Sequence, residues 1–164
     1  MKQFIALFFL YLIILFTLFY AETSLLSTII NEEQTKLTIF FLNIFLTPEQ
    51  IQGIDIWINP QYKIIINQAC NGLIPIIFLF ASIFAYPSNL WHKIYWIIIG
   101  YAVFTLVNVF RILLVVHFVE QKAGRENFYW SHDLMGNALL MGVGLGLFIV
   151  FIKTSSLIKK NSKI

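Results

Sequence analysis

The sequence predicts an all-α polytopic membrane protein with about four transmembrane helices, plus an extracytoplasmic amphipathic helix and a short β-hairpin after the first span. Three observations carry that reading. Apolar residues make up 59% of the 164 positions and charged residues 12%, whereas a soluble domain averages about half and about a quarter. Mean hydropathy is +0.81, and the apolar residues gather into long uninterrupted runs separated by polar breaks. A soluble fold of this length has too little interior for so many large side chains, so lipid must solvate many of them. The net charge of +3 is dispersed and no basic face is visible, which argues against nucleic-acid binding. A single cysteine excludes an intramolecular disulfide.

Taken in order, Lys2 precedes an apolar run over residues 4–20 that is long enough to cross a bilayer. A cleaved signal peptide is the rival reading, since Ala21 could close its apolar core. Phe19 stands where a cleavage site wants a small residue, which favours an uncleaved anchor. Residues 21–71 form an outer loop of mixed composition. Within it Leu26, Ile30, Leu37, Phe41 and Ile44 recur at helical spacing opposite Glu32, Glu33 and Lys36, the pattern of an amphipathic helix lying on the membrane or on neighbouring helices. Thr47-Pro48 stops it. The alternation Ile54-Asp55-Ile56-Trp57-Ile58, the turn Asn59-Pro60-Gln61 and the β-branched stretch to Ile66 predict a hairpin.

The second run, residues 72–86, spans only about 23 Å at about 1.5 Å per residue, against a hydrocarbon core of about 30 Å. Either its helix continues into Leu90-Trp91, or Cys70 lies sunk below the membrane surface. The third run, 94–119, contains Arg111, and Gln121 to Ser131 forms a polar loop. The fourth run, 134–152, carries Gly142, Gly144 and Gly146, small residues that let helices approach. The tail, 153–164, is basic. The whole chain reads as a single membrane domain, 1–164. Lys2, Lys93, Lys153, Lys159, Lys160 and Lys163 share one side under this topology, and Lys36, Lys63, Lys122 and Arg125 the other. The positive-inside rule places both termini in the cytoplasm.

Cys70 then opens the second span on the outer side, Arg111 lies near the outer end of the third, and His132 heads the fourth. These three residues, far apart in sequence, are expected at one depth. A helix N-terminus and a nearby cation both favour a thiolate. Histidine can pass a proton to a leaving amine, and an arginine in a span needs a polar partner and can stabilise an oxyanion. Asn108 shares a helix face with Arg111 and is expected to orient it. The duller accounts are a packing cysteine, a snorkelling arginine and an interfacial histidine. His92 is expected in a cytoplasmic loop and His117 in an apolar helix with no partner assigned. No motif-spaced ligand pair supports a metal, and no cofactor is called for.

At Ala69-Cys70-Asn71-Gly72, Asn108-Val109-Phe110-Arg111 and His132 the chain resembles the exosortase/archaeosortase family of membrane cysteine transpeptidases. The resemblance covers roughly Cys70 to Ile152 through short motifs in a characteristic order. It implies Cys70 as nucleophile, Arg111 as electrostatic partner and His132 as general acid/base, with Asn108, Asn71 and Gly72 supporting. It also implies a partner in the lipid bilayer: a substrate protein ending in a short motif, a transmembrane helix and a basic cluster. That tail would be cut on the outer face of a bacterial inner membrane, through a thioester. The chain departs from the family in having Asn71 where Ser is common after the cysteine, and in being shorter than larger members. A non-catalytic membrane scaffold or accessory factor for export, docking through its acidic outer loop, is the alternative from another class.

Overall fold

Three helices among the described residues are long and apolar enough to cross a membrane: α1 (Lys2–Phe19), α4 (Leu90–Gln121) and α5 (Asn137–Asn161). The computed structural model describes residues 2–21, 23–60, 62–121 and 136–161. Between the spans lie α2 (Leu25–Leu42), strands β1 (Ile51–Gln52), β2 (Asp55–Asn59) and β3 (Tyr62–Ile65), a 3-10 turn (Gln68–Asn71) and the short apolar helix α3 (Leu73–Ala85). His132, with Lys122 and Arg125 of the polar loop before it, lies outside the described residues.

Helix α3 settles one of the alternatives left by the sequence. It ends at Ala85, with Tyr86 in an extended conformation directly before Pro87, as the steric demand of proline on its predecessor requires. The helix therefore does not run on to Leu90-Trp91, and its 13 residues measure only about 20 Å. Helix α4 starts earlier than its apolar run. The residues expected to form a cytoplasmic loop around His92 are the first turn of α4, where His92 stacks on Phe151 with ring centroids 5.1 Å apart. The last helix likewise runs past the apolar run into the basic tail, through Asn161.

Between α2 and α3 lies a three-stranded antiparallel meander in the order β1-β2-β3, so the expected hairpin gains a two-residue first strand. Ile56 pairs with Ile64, and both turn inward with Ile66 onto Val109, Ile112, Val115 and Val116 of α4. On the other face Lys63 reaches Asp55 at 2.6 Å and lies over the Trp57 ring. This period-2 division between core and surface is the one the alternating sequence announces.

Helix α2 meets the expectation in part: Glu32, Glu33 and Lys36 are exposed and Ile30, Leu37 and Phe41 half-buried, while Leu26 and Ile44 are exposed. Its N-cap is Ser24, whose side-chain oxygen accepts from the Ser27 backbone N–H at 3.5 Å. Its buried stripe is Ser27, Gln34, Thr38 and Leu42, with Asn31 and Thr35 half-buried beside it. Leu25, Leu26, Ile29, Phe40 and Ile44 face outward, Leu25 at 82% exposure. A chain solvated by lipid has no reason to hide its apolar residues, whereas polar groups gain from meeting partners inside. The Gln34 side chain, fully buried, accepts from the Tyr101 hydroxyl at 2.5 Å and donates to Thr105 Oγ1 at 3.4 Å. This polar seam fastens α2 to α4.

Apolar packing joins the remaining helices. Leu15 of α1 meets Ile77 and Ala81 of α3, and Leu140 and Phe151 of α5 pack with Leu73, Leu79 and Ile83 of α3. Of the three glycines expected to admit a close neighbour, only Gly144 does so, a side-chain carbon there falling 3.2 Å from Phe104 of α4. Carbons at Gly142 and Gly146 would meet open space. Tyr101→Phe removes the hydroxyl from a buried carboxamide oxygen and is expected to cost about 1–3 kcal/mol. The cost would appear as a lower unfolding midpoint in detergent, while Leu25→Ala leaves the midpoint nearly unchanged.

Candidate functional site

The turn that carries Cys70 is built by its neighbours. Asn67 stands in the extended region, and its side-chain oxygen accepts from the backbone N–H groups of Ala69 (3.1 Å) and Cys70 (3.3 Å). This Asx cap forces the chain to turn at once. Gly72 ends the turn with φ +66°, a left-handed conformation that side chains disfavour, and there the chain is redirected into α3. The Gln68 Nε2 donates to the Tyr20 carbonyl at 2.8 Å, tying the turn to the end of α1.

Asn108 and Arg111 arrive from α4, one turn apart. Asn108 Nδ2 donates to the Cys70 carbonyl at 2.7 Å, and its Oδ1 accepts from Arg111 Nη1 at 3.2 Å. The two partners fix the amide's orientation, because a guanidinium only donates and a carbonyl only accepts. Asn108 and Arg111 are 1% and 2% exposed. A side-chain carbon at Gly72 would sit 3.0 Å from Asn108 Oδ1, so the turn and the amide meet where only glycine fits. On the far side, Gly136 at the head of α5 packs directly onto the Arg111 side chain, and a side-chain carbon there would overlap Nε. Arg111 therefore emerges between the Cys70 turn and the start of the last helix.

Cys70 is 5% exposed and packs in one cluster with Ile56, Ile64, Ile66, Val109 and Ile112. Its S–H donates to the Ile65 carbonyl at 3.7 Å. On the other side of the turn a cavity of about 250 Å³ is lined by Gln68, Ala69, Gly72, Arg111 and Asn137. It shares Ile74, Pro75, Leu140 and Met141 with a larger, almost wholly apolar trough of about 490 Å³ between α1, α3 and α5. A mostly apolar chamber that holds Arg111 beside the cysteine turn thus adjoins a larger apolar trough.

Of the residues singled out in the sequence, the fold brings together Cys70, Asn71, Gly72, Asn108 and Arg111; His132 lies outside the described residues. His117, in α4, stands edge-on to Phe118. The sequence reading gave no role to Asn67 and Gln68, though they adjoin Cys70, and missed Gly136, Asn31 and Thr35. Asn67 was legible as an Asx cap before a helix start, and Asn31 and Thr35 share an i, i+4 face. Nothing local marks Gly136, whose role depends on a side chain from another helix.

Set against known proteins, the chain matches the family model described as transmembrane exosortase over residues 1–150. No curated protein and no solved structure matches it.

The Gly136 contact yields a direct test. Gly136→Ala must push Arg111 off its place against Asn108, and its cost is expected at about 1–3 kcal/mol, as for other overpacked interiors. Unfolding in detergent would show a lowered midpoint, whereas Gly142→Ala, where the new carbon meets open space, would not.

Proposed function

The chain belongs to the transmembrane exosortase family, and on that premise we propose that it is a membrane-embedded cysteine protease/transpeptidase that cuts C-terminal sorting tails from exported proteins. The observation that carries the proposal is the Cys70–Asn108–Arg111 connection. It holds a guanidinium beside the head of the only cysteine's helix, in the interior of a membrane protein, where an arginine is costly unless used.

Cys70 Sγ, as thiolate, attacks the carbonyl carbon of the tail's scissile bond, forming a C–S bond and a tetrahedral oxyanion. Arg111 stabilises that charge in surroundings that exclude water. Collapse breaks the C–N bond, and His132 donates a proton to the leaving amine. The product remains on Cys70 as a thioester. An incoming amine or water, deprotonated by His132, then attacks it, and breaking the C–S bond restores the Cys70 thiolate and the protonated His132.

The substrate is a protein with a short motif, a transmembrane helix and a basic cluster at its C-terminus. The apolar trough supports that choice, since it adjoins the Arg111 cavity through Ile74 and Pro75, one turn beyond Cys70. Lysine distribution favours a cytoplasmic basic tail and an extracytoplasmic site in a bacterial inner membrane. With α3 as a fourth, short crossing, Cys70 lies below the outer surface, level with a bond just above a tail helix. The contact of Gln68 with the Tyr20 carbonyl favours a retained α1.

One observation favours a second reading. The Cys70 thiol is buried among aliphatic side chains and donates to a backbone carbonyl, as a packing cysteine does in a non-catalytic scaffold or accessory factor. Single variants separate the two. As an enzyme, the protein loses processing of a tail-bearing reporter in each of Cys70→Ala, Arg111→Ala and His132→Ala by at least about a hundredfold. As a scaffold, it retains full function in Cys70→Ser and loses it when residues 24–66 are disrupted. Processing at the wild-type rate in all three alanine variants would sink the enzymatic proposal.

A further inference from the structure

We propose that α2 is the positioning element for the Cys70 turn, acting through a hydrogen-bonded clamp of Asn31 and Thr35 on Asn71. The inference builds on the reading of Cys70 as nucleophile, and assigns a role to a helix that the Cys–Arg–His reading leaves unused. Asn71, 1% exposed, follows Cys70 in the same 3-10 turn. Its Nδ2 donates to the Asn31 carbonyl (3.2 Å), Asn31 Oδ1 (3.2 Å) and Thr35 Oγ1 (2.9 Å), and its Oδ1 accepts from the Thr35 hydroxyl (3.2 Å). The backbone carbonyl can only accept, so the amide's orientation is fixed here too.

The clamp is braced at both ends. Asn31 Nδ2 donates to the Ser27 carbonyl (2.9 Å) and to Ser27 Oγ (3.3 Å). One turn further along α2, Gln34 is locked between Tyr101 and Thr105 of α4. The outward apolar residues of α2 give it no preferred height or rotation against its neighbours, because lipid serves them equally well. Directional bonds do give one. The Cys70 turn is therefore gripped from two sides, Asn108 of α4 holding the Cys70 carbonyl and α2 holding the next side chain. No residue of α2 lines the Arg111 cavity or the apolar trough, so Asn31 and Thr35 are positioning residues.

The test uses the full chain in membranes, with two readouts: processing of a tail-bearing reporter, and the pH profile of Cys70 alkylation by a small maleimide. Thr35→Val keeps the side-chain shape and removes the hydroxyl, and Thr35→Ser keeps the hydroxyl. Thr28→Val, on the exposed face, is the control. Misplacement of the turn is expected to slow processing about tenfold or more and to shift the alkylation profile in Thr35→Val, with recovery in Thr35→Ser and no change in Thr28→Val. Should Thr35→Val fail to accumulate, Asn31→Ala breaks the same clamp and is expected to act alike.

Processing within about twofold of wild type with an unshifted profile in Thr35→Val, or a folded Thr35→Ser as impaired as Thr35→Val, overturns the clamp. A shifted alkylation profile in a protein whose wild type processes nothing upholds the clamp and defeats the peptidase reading instead.

Discussion

The structure depends on a short polar bridge: the Asn108 amide spans from the Cys70 carbonyl to the Arg111 guanidinium. Two segments remote in sequence are joined there, and the joint sits in an interior with little water to replace a lost partner. Buried polar groups of this kind are expensive when unsatisfied and directional when satisfied. Around the bridge every available tolerance has been removed. Gly72 and Gly136 stand where a further carbon would strike Asn108 or Arg111, and Asn67 commits the backbone to its turn.

The same logic extends outward from the bridge. Helix α4 presents Tyr101, Thr105, Asn108 and Arg111 to the interior, and α2 meets the first two with Gln34 and the cysteine turn's Asn71 with Asn31 and Thr35. In a water-soluble bundle such a seam would be the weak contact and an apolar stripe the strong one. In lipid the roles exchange, since apolar residues are satisfied on either side and polar residues only where they meet. The meander adds an apolar layer over Cys70 through Ile56, Ile64 and Ile66, so the thiol lies between a greasy cover and a polar scaffold.

This exchange also explains what was legible in the sequence. The long runs at α1, α4 and α5, the helix starting just after Cys70, and the shared face of Asn108 and Arg111 could be read because length and spacing are local properties. The inward face of α2 was legible only in part: Ile30, Leu37 and Phe41 are half-buried as their spacing suggests, but Ser27, Gln34 and Thr38 are buried deeper because polar partners such as Tyr101 and Thr105 come from elsewhere in the chain. The loop expected around His92 is helical, because polarity does not stop a helix whose end packs on another, as His92 does on Phe151, and the last helix outruns its apolar run for want of a stop signal. The first strand of the meander, two residues long, carries no periodicity to detect. Gly136 was invisible, its constraint set by a side chain from another helix.

The most direct measurement is mass spectrometry of the Cys70 peptide after rapid quenching of the protein with a tail-bearing substrate. The peptidase account predicts the N-terminal product attached to Cys70 as a hydroxylamine-labile thioester, and no such adduct in Arg111→Ala. Complete processing with Cys70 unmodified at every time point, or equal adduct in Arg111→Ala, would contradict it.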